Sequence, residues 1–207
     1  VVCLLLLTTI VGWAQKEFTV GNFKYTVTDA ENHYVSIAKA DEATLTDALV
    51  IPSSVTNADI TYTVTSIAEY GFSSNEDITE VTIPNAVTSI GEGAFYGCDG
   101  LTTITLPSTL TTIGNSAFFQ CSSLASFSVP GSVTTIGVQV FDYCSIPTFT
   151  FEASNTAVTC NAVIPCTDHL FLYRDVDRGG YELTTGAIKA LTIGANVTTI
   201  NEKMFQG

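Results

Sequence analysis

Residues 78–145 read ITEVTIPNAVTSIGEGAFYGCDG, then LTTITLPSTLTTIGNSAFFQCSS, then LASFSVPGSVTTIGVQVFDYCS. The three lines are versions of one unit. Phe72, Phe95, Phe118 and Phe141 recur every 23 residues, and so do Ile67, Ile90, Ile113 and Ile136. Pro84, Pro107 and Pro130 keep the same step, as do Cys98, Cys121 and Cys144. A fixed period of this size marks a stacked repeat protein.

The unit at 101–123 shows why it repeats. Ile104 and Leu106 are two apart, so in a strand they share one side, with Thr103 and Thr105 on the other. Pro107 lacks an amide hydrogen and ends the ladder. Leu110 and Ile113 add two apolar side chains, Gly114 is expected to permit a bend, and Ala117, Phe118 and Cys121 close the far side. One such coil has an apolar inside and no second layer, so it buries that inside only against a copy of itself. Stacking then sets Phe over Phe and Ile over Ile, with strands about 4.8 Å apart.

The words LPSTLTTIGNSAFFQC and their two neighbours resemble the leucine-rich repeat family, and within it the BspA-like branch of secreted and surface proteins. Pro, Ile-Gly, Ala-Phe and Cys all fall at that branch's spacing. The resemblance implies a mainly β, right-handed leucine-rich-repeat solenoid of 23-residue coils, with short strands joined by turns or 3-10 segments. One departure stands out. The commonest leucine-rich repeat carries an Asn ladder after the strand, and here Ser108, Thr109 and their equivalents occupy that turn. Its backbone must be satisfied another way.

Residues 1–14, VVCLLLLTTIVGWA, are apolar throughout and too short to span a bilayer. Small residues close the stretch, and it reads as the hydrophobic part of a secretory signal rather than a buried strand. Cys3 lies at the wrong end for lipoprotein cleavage. Residues 15–47 differ from the repeats. Phe18, Val20, Phe23, Tyr25 and Val27 alternate with polar residues around Gly21-Asn22, a hairpin signal, and Tyr34, Val35 and Ile37 suggest a further strand. We expect an N-terminal β-hairpin cap here, because a solenoid needs an atypical end unit.

The repeats are expected to fill 48–207. In the first, Ile51-Pro52 matches Leu106-Pro107 and 64–72 matches 110–118, with nine extra residues between Pro52 and Ile67 as a protruding loop or small hairpin. Ser74 approaches the Cys position. From about 146 the pattern is irregular. Phe149-x-Phe151, Leu170-x-Leu172 and Leu191-x-Ile193 nevertheless keep the strand beat and predict two more coils. The chain then stops in mid-coil, which reads as truncation.

The chain is 46% hydrophobic and 13% charged over 207 residues, enough for a continuous core and too apolar for disorder. A net charge of −13 with no basic stripe argues against nucleic acid and anionic membrane as partners. No long apolar run follows residue 14, so no membrane insertion is expected of the mature fragment. Cys98, Cys121 and Cys144 read as buried thiols, since side chains stacked in parallel point poorly for a disulfide. Cys160 and Cys166 are a candidate local disulfide in an oxidising compartment, and no Cys or His spacing suggests a metal.

Chemistry is sparse. Asp168-His169 could be half of a catalytic pair, yet neighbours in a strand point apart and no nucleophile motif accompanies them. Asp175 and Asp177 before Gly179-Gly180 lack the remaining ligands of a calcium loop. Asn196-Val197-Thr198 is a formal glycosylation acceptor inside a repeat turn. No enzyme and no cofactor is expected. The candidate site is the strand face opposite the core, lined by Glu80, Thr82, Thr103, Thr105, Ser126, Ser128, Thr148 and Thr150. These residues either offer a wide, shallow docking surface or are simply good strand formers facing water. The resemblance implies a secreted or cell-surface module that adheres to proteins of a cell or matrix surface. The alternatives are a structural spacer for another domain and an appendage of a secreted hydrolase.

Overall fold

The computed structural model describes residues 16–144, 146, 148–152 and 190–193. The expected signal segment and the Cys160–Cys166 pair lie outside the described residues, as do Asp168-His169, Asp175, Asp177 and Asn196. The described residues are strands and turns, with no helix of any kind. The described arcs between strands are therefore turns and not 3-10 segments.

The strands are β1 (Glu17–Val20), β2 (Phe23–Asp29), β3 (Tyr34–Lys39), β4 (Asp47–Val50), β5 (Ser54–Asn57), β6 (Ile60–Ile67) and β7 (Ile78–Thr82). There follow β8 (Ser89–Ile90), β9 (Thr103–Thr105), β10 (Thr112–Ile113), β11 (Ser126–Val129), β12 (Thr135–Ile136), β13 (Thr148–Phe151) and β14 (Ala190–Ile193). The main sheet runs β1-β2-β3-β6-β8-β10-β12, with β5 beside β6. Its coil strands are parallel and keep the 23-residue step, pairing Ile67 with Ile90, Ile90 with Ile113 and Ile113 with Ile136. On the other side of each coil stand β4-β7-β9 and β11-β13-β14.

Between the sheets lies the core that the repeat dictates. Phe72, Phe95, Phe118 and Phe141 are fully buried and stacked, with neighbouring centroids 5.6, 5.5 and 5.8 Å apart and rings within 10° of parallel. Burying each such side chain is worth about 1.5–3 kcal/mol, so the column is a principal source of cohesion between coils.

The N-terminal strands close the near end of this column. Gly21, at φ +59, turns β1 into β2, β3 joins β6 in parallel, and Phe23 sets its ring edge on Phe72 at 6.3 Å. The nine-residue insertion forms the hairpin β5–β6, turned by Ala58 and Asp59 at positive φ. Its Tyr62 packs on Phe18 at 5.2 Å, so the insertion supports the end of the solenoid as well as lengthening the first coil.

Four details differ from the sequence reading. Gly114 does not sit at a positive φ; a Cβ there would lie 2.6 Å from Glu92 N and 2.7 Å from Gly91 C in the coil below. The glycine is needed for close approach, and Gly91 and Gly137 meet the same crowding. The residue in the Cys column of the first repeat is Asn75, one place beyond Ser74. It is buried, and its amide donates to Phe72 O at 2.7 Å. At the far end β13 pairs directly with β14, Phe149 opposite Leu191 and Phe151 opposite Ile193. Leu170 and Leu172 lie outside the described residues. Finally, no ladder joins β9 to β11. The column that holds Val81 and Ile104 holds the larger Phe127 next, edge-on to Phe118 and Phe141, and Ile104 and Leu106 beside the break are only partly buried.

Candidate functional site

Threonine and serine hydroxyls satisfy much of the backbone that the missing Asn ladder leaves open. Thr109 Oγ1 donates to Asn85 O at 2.6 Å, and Ser132 Oγ, one repeat on, donates to Leu110 O at 2.6 Å. A second column runs Thr111 Oγ1 to Thr88 O at 3.0 Å and Thr134 Oγ1 to Thr111 O at 3.3 Å. Thr102 Oγ1 donates to Thr79 O at 2.8 Å. These hydroxyls bind each coil to the one before it.

The thiols do similar work inside. Cys98, Cys121 and Cys144 are buried and unbridged. Each donates its S–H to the carbonyl of the Phe 26 residues earlier, at 3.1, 3.2 and 2.9 Å. Burial pushes the Cys98 thiol up to about 11 and the Cys121 thiol well above its ordinary range. Such thiols are poor nucleophiles, since the thiolate is the reactive form.

The third side of each coil has its own ladder. Gly93, Phe95 and Gly97 donate N–H to Asn115, Ala117 and Phe119 of the next coil at 2.8 Å each. This alternation of intra-coil and inter-coil bonds requires two left-handed residues per coil. They are Tyr70, Gly93, Ser116 and Gln139 in one column and Ser74, Gly97, Gln120 and Tyr143 in the other. Outside this ladder Tyr96 stacks on Phe119 at 4.7 Å, and Tyr70 donates its hydroxyl to Glu92 Oε1 at 2.9 Å, which raises the Tyr70 pKa.

The remaining surface is the strand face. Register places Glu80 beside Thr103 and Thr82 beside Thr105. In the other sheet Ser126 lies beside Thr148 and Ser128 beside Thr150. The eight residues thus belong to two ladders, whose adjoining strands still meet where Ala125 N–H donates to Thr102 O at 3.1 Å. Glu80, Thr103, Thr105 and Ser126 are exposed and Thr82 and Ser128 half-buried. Ser128 Oγ donates to Glu152 Oε1 at 2.7 Å. In contrast to the hydroxyls that lock coil to coil, the side chains of Glu80, Thr82, Thr103, Thr105 and Ser126 make no side-chain hydrogen bond among the described residues.

Two residues of this face were missed. Ala48 stands beside Glu80 and Val50 beside Thr82, both exposed, Val50 at 67%. The signal was present in the sequence: aligning Ile51-Pro52 on Leu106-Pro107 sets Val50 over Thr105.

Comparison with known proteins agrees with this geometry. The family model for the BspA type leucine rich repeat region matches residues 50–168 in six copies. The fold is similar to that of a leucine-rich repeat protein from Bacteroides capillosus, at 29% identity and a TM-score of 0.58, over 67% of this chain and 100% of that one. A second, from Bacteroides ovatus, shares 26% identity at a TM-score of 0.54 over 66% of this chain and 42% of its own. The pneumococcal vaccine antigen PcpA shares the fold at 24% identity and a TM-score of 0.57, over 68% of this chain and 39% of its own. The chain therefore spans less than half of the latter two. Among curated proteins no match is found. With the family model matching more than half of its residues, the chain belongs to the BspA-type leucine-rich repeat family.

Proposed function

We propose that this chain is a secreted or cell-surface recognition module whose strand face docks a protein of a cell or matrix surface, giving adhesion without catalysis. The observation that carries the reading is the division among the hydroxyl residues. Those on the coil edges donate to the coil below, whereas Thr103, Thr105 and Ser126 are exposed and make no side-chain hydrogen bond among the described residues. A shallow row of small polar groups suits a broad protein contact better than a small molecule, which prefers a concave, mostly apolar pocket. The apolar segment at 1–14 supports export.

The test is to place Lys at Thr103, Thr105 and Ser126 together and measure attachment to immobilised matrix proteins. These are surface positions, so thermal stability should hold while attachment falls by about tenfold or more, the effect of 1.4 kcal/mol. Attachment equal to that of the parent would contradict the reading and leave the spacer role standing.

A further inference from the structure

The two faces of the solenoid are closed unequally at the N-terminal end. The main sheet continues past the first coil into β3, β2 and β1. The strand-face sheet stops at β4, and among the described residues no strand pairs with its outer edge. Asp47 and Ile51 donate their N–H toward the β7 side, to Asp77 O and Thr82 O. By strand alternation the N–H and C=O of Ala48 and Val50 therefore point outward, away from β7. Val50 is 67% exposed, the most exposed of the large apolar residues described. A row of open main-chain groups beside an exposed apolar side chain is a template for another strand.

The charge around this edge selects its occupant. From Ala40 to Glu152 the chain carries twelve carboxylates and no Lys or Arg; Lys16, Lys24 and Lys39 all precede it. Asp47 is on β4 itself, Asp77 supplies the carbonyl bound by Asp47 N–H, and Glu80 stands opposite Ala48. The one ion pair among the described residues, Lys24 with Glu17, is elsewhere. A second copy of this chain would bring the same carboxylates to the same edge and repel.

We propose that the outer edge of β4 accepts an extended, cationic segment of a protein partner as an added β-strand. Main-chain bonds to Ala48 and Val50 supply the pairing, Val50 meets an apolar side chain of the incoming strand, and Asp47, Asp77 and Glu80 meet its Lys or Arg residues. This contact is edge-on and does not depend on docking at the strand face.

The test uses a fluorescently labelled peptide alternating valine and lysine, with anisotropy as the readout on the full chain. The peptide should bind, and affinity should fall as salt is raised, because the carboxylates are at the surface. An analogue of the peptide N-methylated at alternate residues, unable to donate to the edge, should bind at least about tenfold more weakly. Val50→Pro should have the same effect, since it deletes an outward N–H and leaves the β4–β7 ladder intact. Ser126→Lys, which disrupts the proposed strand-face docking, should leave peptide affinity unchanged. Equal binding of the N-methylated peptide would overturn the proposal, and so would equal binding of a valine–glutamate peptide or the absence of any binding. A concentration-dependent dimer abolished by Val50→Pro would instead assign the edge to a second copy.

Discussion

At the residue scale, one thiol shows how closely the repeat is fitted. Phe95 O accepts both the Cys98 N–H at 3.2 Å and the Cys121 S–H at 3.2 Å. The thiol thus fills a second lone pair on a carbonyl that is already bonded. Cys121→Ser should therefore keep the bond, whereas Cys121→Ala should lower stability by about 1 kcal/mol for the lost bond, read as a shift in urea midpoint. The pH dependence follows from Cys98, whose thiol is raised from 9.0 to about 11. Its folded state holds the proton longer than the unfolded state does, so its contribution is complete below pH 9 and is lost as pH rises toward 11. The urea midpoint should fall across that window, and fall less in Cys98→Ser. A midpoint with the same pH profile in both proteins would show that the thiol carries none of the effect.

At the element scale, two glycines separate two reasons for the same residue. Gly97 sits at φ +66 with its nearest neighbour 3.8 Å from a Cβ, so Gly97→Ala costs only conformational strain, about 1–2 kcal/mol. Gly114 has an ordinary φ but no room, so Gly114→Ala forces the coils apart at about 1–3 kcal/mol or more. Asn, which tolerates the left-handed region, should rescue position 97 and worsen position 114; thermal unfolding of the four variants checks this. The period itself was legible because Phe, Ile, Pro and Cys are large or distinctive and recur without a slip. The left-handed columns were not, because Ser116, Gln120 and Gln139 are ordinary residues held there by the inter-coil ladder and not by their own preference. The close approach at Gly114 was likewise read as a bend, since a sequence shows which residue is small but not what lies beneath it. On the strand face, alternation correctly set Thr103 and Thr105 outward, yet the β9–β11 break depended on how Phe127 packs between two neighbouring rings.

At the scale of the whole molecule, charge and stacking oppose each other. Twelve carboxylates between Ala40 and Glu152 meet no Lys or Arg in that span, so the folded repeats carry a self-repulsion that salt screens. Raising sodium chloride from about 10 to 300 mM, where the screening length shrinks from tens of ångströms to below about 10 Å, should raise the melting temperature; a flat or falling profile would contradict this. Against that repulsion stands the buried column from Phe72 to Phe141, roofed at one end by Phe23. That column is the core of the solenoid, and aromatic nuclear Overhauser spectroscopy is its sharpest test. Neighbouring rings lie 5.5–5.8 Å apart centre to centre, so cross-peaks should link Phe72 to Phe95, Phe95 to Phe118 and Phe118 to Phe141, with none from Phe72 to Phe118. Rings that show cross-peaks to water, or out of this order, would contradict a single stacked core.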